Sequence, residues 1–347
     1  MKTRLEGLDL ARALALCGMV LVNFRLAMGA TTGPGWLLDA LTALEGRSAA
    51  IFVMLAGIGL GLGTRRLPFG DAAAHTVRRG LFLLALGLLN VLIFPADIIH
   101  YYGVYFLIAA LCLRLPSSLL LVLALGLADL FVTLLFVLDY QAGWHWEDLS
   151  YSGFWQPTGF VRNLLFNGWH PVVPWLAFLL VGLMLSRQPL GERRIQWRLV
   201  LGGAAMALLA KGSSLALSAQ LPAWASLFAL APLPLYLLFA GGIACALIGG
   251  CLLLMGCARP PALLAALLPM GRQTLTLYMA HILIGMGILE EMGWLEGQGL
   301  WQMLLAAGLY LVAAGLFAAR WEARFGRGPL ESLMRHLCDA RPEPRAA

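Results

Sequence analysis

Charge is scarce in this sequence. Only 12% of its 347 residues are Asp, Glu, Lys or Arg, about half the share in a soluble globular domain, while 61% are apolar. A chain this poor in charge cannot clothe a folded surface in solvated groups, which excludes an ordinary soluble domain. Lysine is nearly missing, with Lys2 and Lys211 against 22 arginines, a bias that fits a GC-rich bacterial genome. The six cysteines are Cys17, Cys112, Cys245, Cys251, Cys257 and Cys338. None falls in a segment expected to face outward, so no disulfide framework is predicted. Cys245, Cys251 and Cys257 turn about 240° per step on a helix and cannot share one metal-binding face. Glycine-rich nucleotide loops, zinc-ligand spacings and heptad repeats are all missing, and no metal is expected. The net charge of +6 needs no nucleic acid, because it follows from where the arginines lie.

What the chain has in abundance is long apolar runs. A bilayer core takes roughly 20 apolar residues per helix. Spans are predicted near 8–29, 47–63, 80–95, 99–113, 117–138, 171–186, 199–218, 233–256, 272–290 and 300–319. The first keeps Asp9 and Arg12 inside its run and Arg25 after it, with no small-residue cleavage site, so it reads as a membrane helix and not as a signal peptide. Nineteen of the 24 basic residues fall on one side of this arrangement. They include Arg4, Arg65, Arg66, Arg78, Arg79, Arg114, Arg187, Arg193, Arg194, Arg198, Arg259, Arg272 and the arginines of the tail. Only Arg25, Arg47 and Arg162 fall on the other. The positive-inside rule then places both termini in the cytoplasm. The fold class expected is an all-α membrane protein of about ten transmembrane helices, N-in/C-in, in a bacterial inner membrane. Residues 1–340 form one polytopic domain, and 341–347 a disordered tail. The 39 glycines suit close helix packing in lipid. The one long outer loop, 139–169, is rich in aromatic rings, which fits either an interfacial belt or a lid over a substrate.

Polar residues inside or near the spans are the candidate functional groups, because a charge in a membrane is costly and usually faces a bundle interior or a wet cavity. Asp9 and Arg12 share a helical face near the cytoplasmic end of the first span, as a local ion pair or as a contact for an acyl donor or phosphate. Asp129 and Lys211 are each thirteenth in their spans, both about 20 Å deep, and a buried ion pair or a proton relay is expected of them. Glu45 and Arg47 sit at the outer mouth of the second span, and Asp97 and His100 at that of the fourth. His170 opens the sixth span ahead of Pro171, Pro174 and Trp175, and His281 lies midway along the ninth. An Asp accepting from one imidazole nitrogen fixes the tautomer and frees the other nitrogen as a base for acyl transfer. A cavity opening outward is expected, lined by Asn23, Glu45, Arg47, Asp97, His100, His170, Trp175 and His281. The helix dipole at the start of the sixth span favours a neutral His170, so His170 is the expected base, with His100 and Asp97 in support.

The order of these motifs resembles a known group. Arg4-x-x-x-Leu8-Asp9-x-x-Arg12 followed by Val22-Asn23 is similar to the opening of the YeiB-like bacterial membrane proteins. So are Asp97-Ile98-Ile99-His100-Tyr101-Tyr102-Gly103, His170-Pro171-x-x-Pro174-Trp175, Gly271-Arg272-x-x-Leu275-Thr276-x-Tyr278 and Gly328-Pro329-Leu330-Glu331-x-x-x-Arg335. The resemblance spans almost the whole chain. That group is distantly similar to heparan-α-glucosaminide N-acetyltransferase and other transmembrane acyltransferases. The kinship implies acyl-CoA as cytoplasmic co-substrate, and a sugar, lipid or other small acceptor across the membrane. There are departures. Ala13 stands where the group has Gly. Residues 30–46 lack the histidine that the N-acetyltransferase branch carries in its first outer loop. Asn23 stands eleven residues after Arg12, where another acyltransferase branch has a histidine. Acyl transfer and a transporter or binding protein, with His100, His170, Asp129 and Lys211 as relay, are the two functions the sequence leaves open.

Overall fold

A computed structural model describes residues 4–147, 149–221 and 232–339. The expected tail at 341–347 and Lys2 lie outside the described residues. The described residues are helical and loop apart from one small hairpin and an isolated bridge between Thr32 and Gly299. Seven helices among the described residues are long and apolar enough to cross a bilayer, or eight if one bent pair counts as a single span. The protein is a multi-pass membrane protein.

Ten helical regions occupy the predicted segments, several with different limits. Helix α1 is Glu6–Ala27; a short α2, Gly35–Thr42, leads into α3, Arg47–Thr64. Helix α4, Phe69–Val91, begins eleven residues before the predicted 80. Pro68 precedes it, and Ala72 and Thr76 are buried on its early turns, so the extension is an amphipathic stretch that an apolar-run criterion misses. Helix α5 is Ile99–Cys112 and α6 is Ser117–Val137. The outer loop contains the hairpin β1 (Trp144–His145) and β2 (Ser150–Tyr151), with Trp144 opposite Tyr151. Helix α7, Pro157–Arg162, runs into a π turn, Asn163–Asn167, and bends by 50° into α8, Val172–Leu185. Helix α9 is Arg193–Gln220 and α10 is Pro234–Met255.

The ninth span is broken. Short helices α11 (Ala262–Ala265) and α12 (Leu268–Arg272) precede α13 (Thr274–Ala280), a π turn (His281–Met286) and α14 (Gly287–Glu291). Helix α15, Leu300–Phe325, ends at Gly326 with φ +77, the left-handed cap that glycine adopts without a Cβ penalty. An amphipathic α16, Pro329–Cys338, follows.

Helix α1 is the central post and packs on α3, α10, α12 and α15. Two glycines permit close approaches that position polar groups. A Cβ on Gly271 would overlap the Asp9 carbonyl, so only glycine lets α12 close on α1. A Cβ on Gly87 would overlap the His100 backbone nitrogen, so α4 meets the first turn of α5 through that residue. The outer faces of α6, α9 and α15 carry exposed Val122, Leu125, Leu208, Leu209, Leu309 and Val312. A continuous apolar face of this size belongs against lipid and not water.

One expectation fails on these helices. Asp129 and Lys211 are both exposed, and no ion pair joins them among the described residues. Equal depth does not set azimuth. Helix α6 buries Leu120, Ala124 and Phe131, and α9 buries Ala207, Ala210 and Ser214; on a 100° step, Asp129 and Lys211 fall off both buried stripes.

Candidate active site

The outer cluster is built around the first turn of α5. Asp97 and His100 are essentially inaccessible, at 0% and 1% exposure. The Asp97 carboxylate accepts from Asn90 Nδ2 at 2.8 Å, from the His100 backbone N–H at 2.9 Å and from His100 Nδ1 at 2.9 Å. An ionised Asp97 therefore requires Nδ1 to carry the proton, and it leaves His100 Nε2, which is buried and has no partner among the described residues, as a free acceptor. Gly87 lets α4 come close enough for Asn90 to reach Asp97. The bond of Asn90 to Asp97 depends on the α4–α5 contact, which no sequence pattern signals.

The aromatic loop covers this pair. The Phe154 ring stands edge-on to His100, with centroids 6.1 Å apart. Asn167 anchors the loop. Its side-chain oxygen accepts from Tyr151 at 2.8 Å, its amide donates to the Tyr140 and Ala142 carbonyls at 2.9 Å each, and its carbonyl accepts from Trp144 Nε1 at 2.6 Å.

His170 reaches the same cluster through a chain of rings. Its imidazole lies 6.2 Å from the Tyr101 ring and 4.6 Å from Trp175, and Tyr101 lies 3.9 Å from His100. Tyr101 donates to Asn163 at 2.6 Å, and Tyr105 donates to the His170 carbonyl at 2.6 Å. The structure thus brings His100, Asp97, His170 and Trp175 together, but the ranking of the two histidines changes. Among the described residues no carboxylate orients His170 and its buried Nδ1 has no partner, whereas His100 has its tautomer fixed by Asp97.

The other residues expected there are committed elsewhere. Glu45 pairs with Arg25. Arg47 donates to the Thr42 carbonyl at 3.1 Å and lies over the Phe239 ring at 4.8 Å. Asn23 Nδ2 donates to His281 Nε2 at 2.9 Å, and His281 Nδ1 bonds the Tyr278 carbonyl, so both ring nitrogens of His281 are engaged.

A charged cavity of about 360 Å³ opens at the other end of the bundle, and none of the eight residues assigned to an outward cavity lines it. Four arginines line it, Arg4, Arg12, Arg79 and Arg272, with no Asp or Glu among them. Behind them Asp9 is a hub. Its carboxylate accepts from Arg4 at 2.6 and 3.1 Å, from Arg12 at 2.8 Å and from Arg272 at 3.4 Å. Asp9 and Arg12 form the predicted pair, but within a cluster of four. Arg272 also bonds Glu322 at 2.7 Å, and Arg79 faces Asp339 at 3.6 Å. Sequence reasoning saw Arg79 and Arg272 only as topology signals, because charge bias along a chain does not say which arginines converge.

From the arginines the cavity rises along α1 to Met19, about 10 Å beyond Arg12, between apolar walls that include Phe52, Leu55, Leu83 and Phe106. It ends against Ile98, Ile99, Tyr102 and Tyr278. Around α5, Ile99, Tyr102 and Phe106 face this cavity, while His100 and Tyr101 face the outer loop. The two sites lie on opposite faces of the first turn of α5.

No curated protein and no solved structure matches the chain. Residues 183–341 match a family described as a protein of unknown function, DUF418, in keeping with the YeiB-like resemblance. Residues 4–221, which hold Asp9, Arg4, Arg12 and Arg79, the Asp97–His100 pair and the aromatic loop but not Arg272, match the catalytic domain of heparan-alpha-glucosaminide N-acetyltransferase, and the chain belongs to that family.

Proposed function

We propose that this protein is a membrane acyltransferase that takes an acyl group, acetyl in the first instance, from cytoplasmic acyl-CoA and places it on a sugar or lipid acceptor at the outer side. In this reading ten helices cross a bacterial inner membrane with both termini inside, so the arginine cavity faces the cytoplasm and the aromatic loop faces outward. The observation that carries it is the juxtaposition at the first turn of α5: an arginine-mouthed cavity on one face and an Asp-oriented imidazole with a free Nε2 on the other.

The residues divide the work. Arg4, Arg12, Arg79 and Arg272 offer guanidinium forks to phosphate oxygens. The apolar walls suit an uncharged arm reaching inward. His100 Nε2 accepts the proton of the acceptor's hydroxyl or amine as that group attacks, and Asp97 stabilises the imidazolium that forms. The loop around Phe154 keeps water from the reacting groups. Asp129 and Lys211, on the lipid-facing surface, are not linked to this centre, which removes half of the relay a transporter would need.

The test is acyl transfer from labelled acetyl-CoA by the full chain in lipid nanodiscs, with membrane glycans and lipids as acceptors. Wild type transfers label. Asp97→Asn lets His100 accept at Nδ1 and carry its proton on Nε2, which lowers kcat by about 10³–10⁴-fold while acetyl-CoA still binds. Absence of acyl-CoA binding, or Asp97→Asn activity within tenfold of wild type, overturns the reading.

A further inference from the structure

Two buried hydroxyls at the closed end of the arginine cavity have no partner. Tyr102 and Tyr278 are 8% and 3% exposed, both line the cavity, and neither phenol oxygen makes a hydrogen bond among the described residues. The Tyr278 hydroxyl lies beside the Ile98 backbone without bonding geometry, and Asp97 is near enough to influence it. Buried phenols normally find a partner. Tyr101 and Tyr105 on the same helix do so, at 2.6 Å each. Tyr310, next to the ninth span, donates to the Leu277 carbonyl at 2.6 Å. The two phenols without partners are those that face the cavity.

They come from different helices, α5 and α13, and converge where the cavity stops. Tyr278 is fixed in place by its ring contact with His281, 4.8 Å between centroids, while both nitrogens of that imidazole are held by Asn23 and the Tyr278 carbonyl. The Asn23–His281 pair, expected to bind substrate, thus acts as the brace behind Tyr278. A molecule that fits the whole cavity is anionic at the arginine end, apolar in the middle and carries a hydrogen-bond acceptor at its tip.

We propose that the Tyr102 and Tyr278 phenols donate to the carbonyl oxygen of the acyl thioester and form its oxyanion site. This rests on the acyl-transfer reading above and adds to it the groups that polarise the acyl carbon. As the acceptor oxygen or nitrogen bonds to that carbon, the carbonyl electron pair moves onto oxygen, where both phenols stabilise the charge. The acceptor proton goes to His100 Nε2. Collapse reforms the carbonyl and breaks the carbon–sulfur bond. The thiolate leaves and takes the proton back, giving the acylated acceptor and free thiol.

The test uses the full chain in nanodiscs with acetyl-CoA carrying ¹³C at the carbonyl. The infrared carbonyl band of the bound wild-type complex should lie below that of free acetyl-CoA, since two donors weaken the bond. Tyr102→Phe and Tyr278→Phe each keep the ring and its packing. Each should restore part of the shift, the double variant all of it, and each single change should lower kcat by about 10²-fold with KM for acetyl-CoA changed less than threefold. Wild-type binding and transfer with an unshifted band, or Phe variants at wild-type kcat, overturns the phenol assignment alone. The unshifted wild-type band does so even if a variant fails to fold. A wild type that binds no acetyl-CoA overturns both this assignment and the acyltransferase reading.

Discussion

Replacing Asp9 by Asn should push stability and anion affinity in opposite directions. Asp9 is 2% exposed at its side chain and joins Arg4, Arg12 and Arg272, which are 60%, 25% and 22% exposed. Removing its charge takes from Arg4 and Arg12 the carboxylate they share, while Arg272 keeps Glu322 and Glu6. Breaking a fully buried pair costs about 3–5 kcal/mol, and an exposed pair contributes about 0–1. With one partner largely in water and two partly so, we expect a loss of about 2 kcal/mol. The same change removes the one negative charge that three of the four cavity arginines share. An anion roughly 8 Å away gains about 2 kcal/mol at an effective dielectric of 20. Screening by water at the mouth reduces that, and roughly tenfold tighter binding of coenzyme A is expected. Thermal unfolding in detergent and calorimetric titration with coenzyme A measure the two quantities. Arg12→Gln is the control, since it removes a cation and lowers affinity. If Asp9→Asn weakens coenzyme A binding, or leaves stability unchanged, the hub is not a charge balance for an anion site and the argument fails.

Two other outcomes are expected from the geometry. Phe154→Ala uncovers His100, so His100 should react with diethylpyrocarbonate several-fold faster than in wild type; mass spectrometry of the modified peptide checks this, and an unchanged rate means that the loop is not what shields it. With the native cysteines removed, a membrane-impermeant thiol reagent added outside should label Ser150→Cys and spare Arg193→Cys, and the reverse pattern overturns the assigned orientation.

The sequence alone determined the helical membrane class, because apolar runs of bilayer length with so few charges have no other stable home. It also determined the Asp9–Arg12 pair, since three-residue spacing puts both on one helical face, and the Asp97–His100 pair, since an Asp just ahead of a helix reaches the backbone N–H and side chain three residues on. Segment limits followed the apolar runs closely where both ends are apolar, as in α5. They missed α4 and the start of α9, where amphipathic turns extend the helix beyond its hydrophobic core. What only the tertiary structure decided is azimuth and convergence. Asp129 and Lys211 share a depth, but depth along an axis says nothing of rotation about it, and both turned outward. His170 and His100 were legible as candidates, and Asp97 as the neighbour of His100, but only the approach of α4 through Gly87 brings Asn90 to that carboxylate. Four arginines spread from residue 4 to residue 272 meet around one cavity, and Tyr102 and Tyr278, 176 residues apart, close its far end. Such contacts join distant parts of the chain through helix rotation and glycine-mediated approach, neither of which leaves a periodic signal in the sequence.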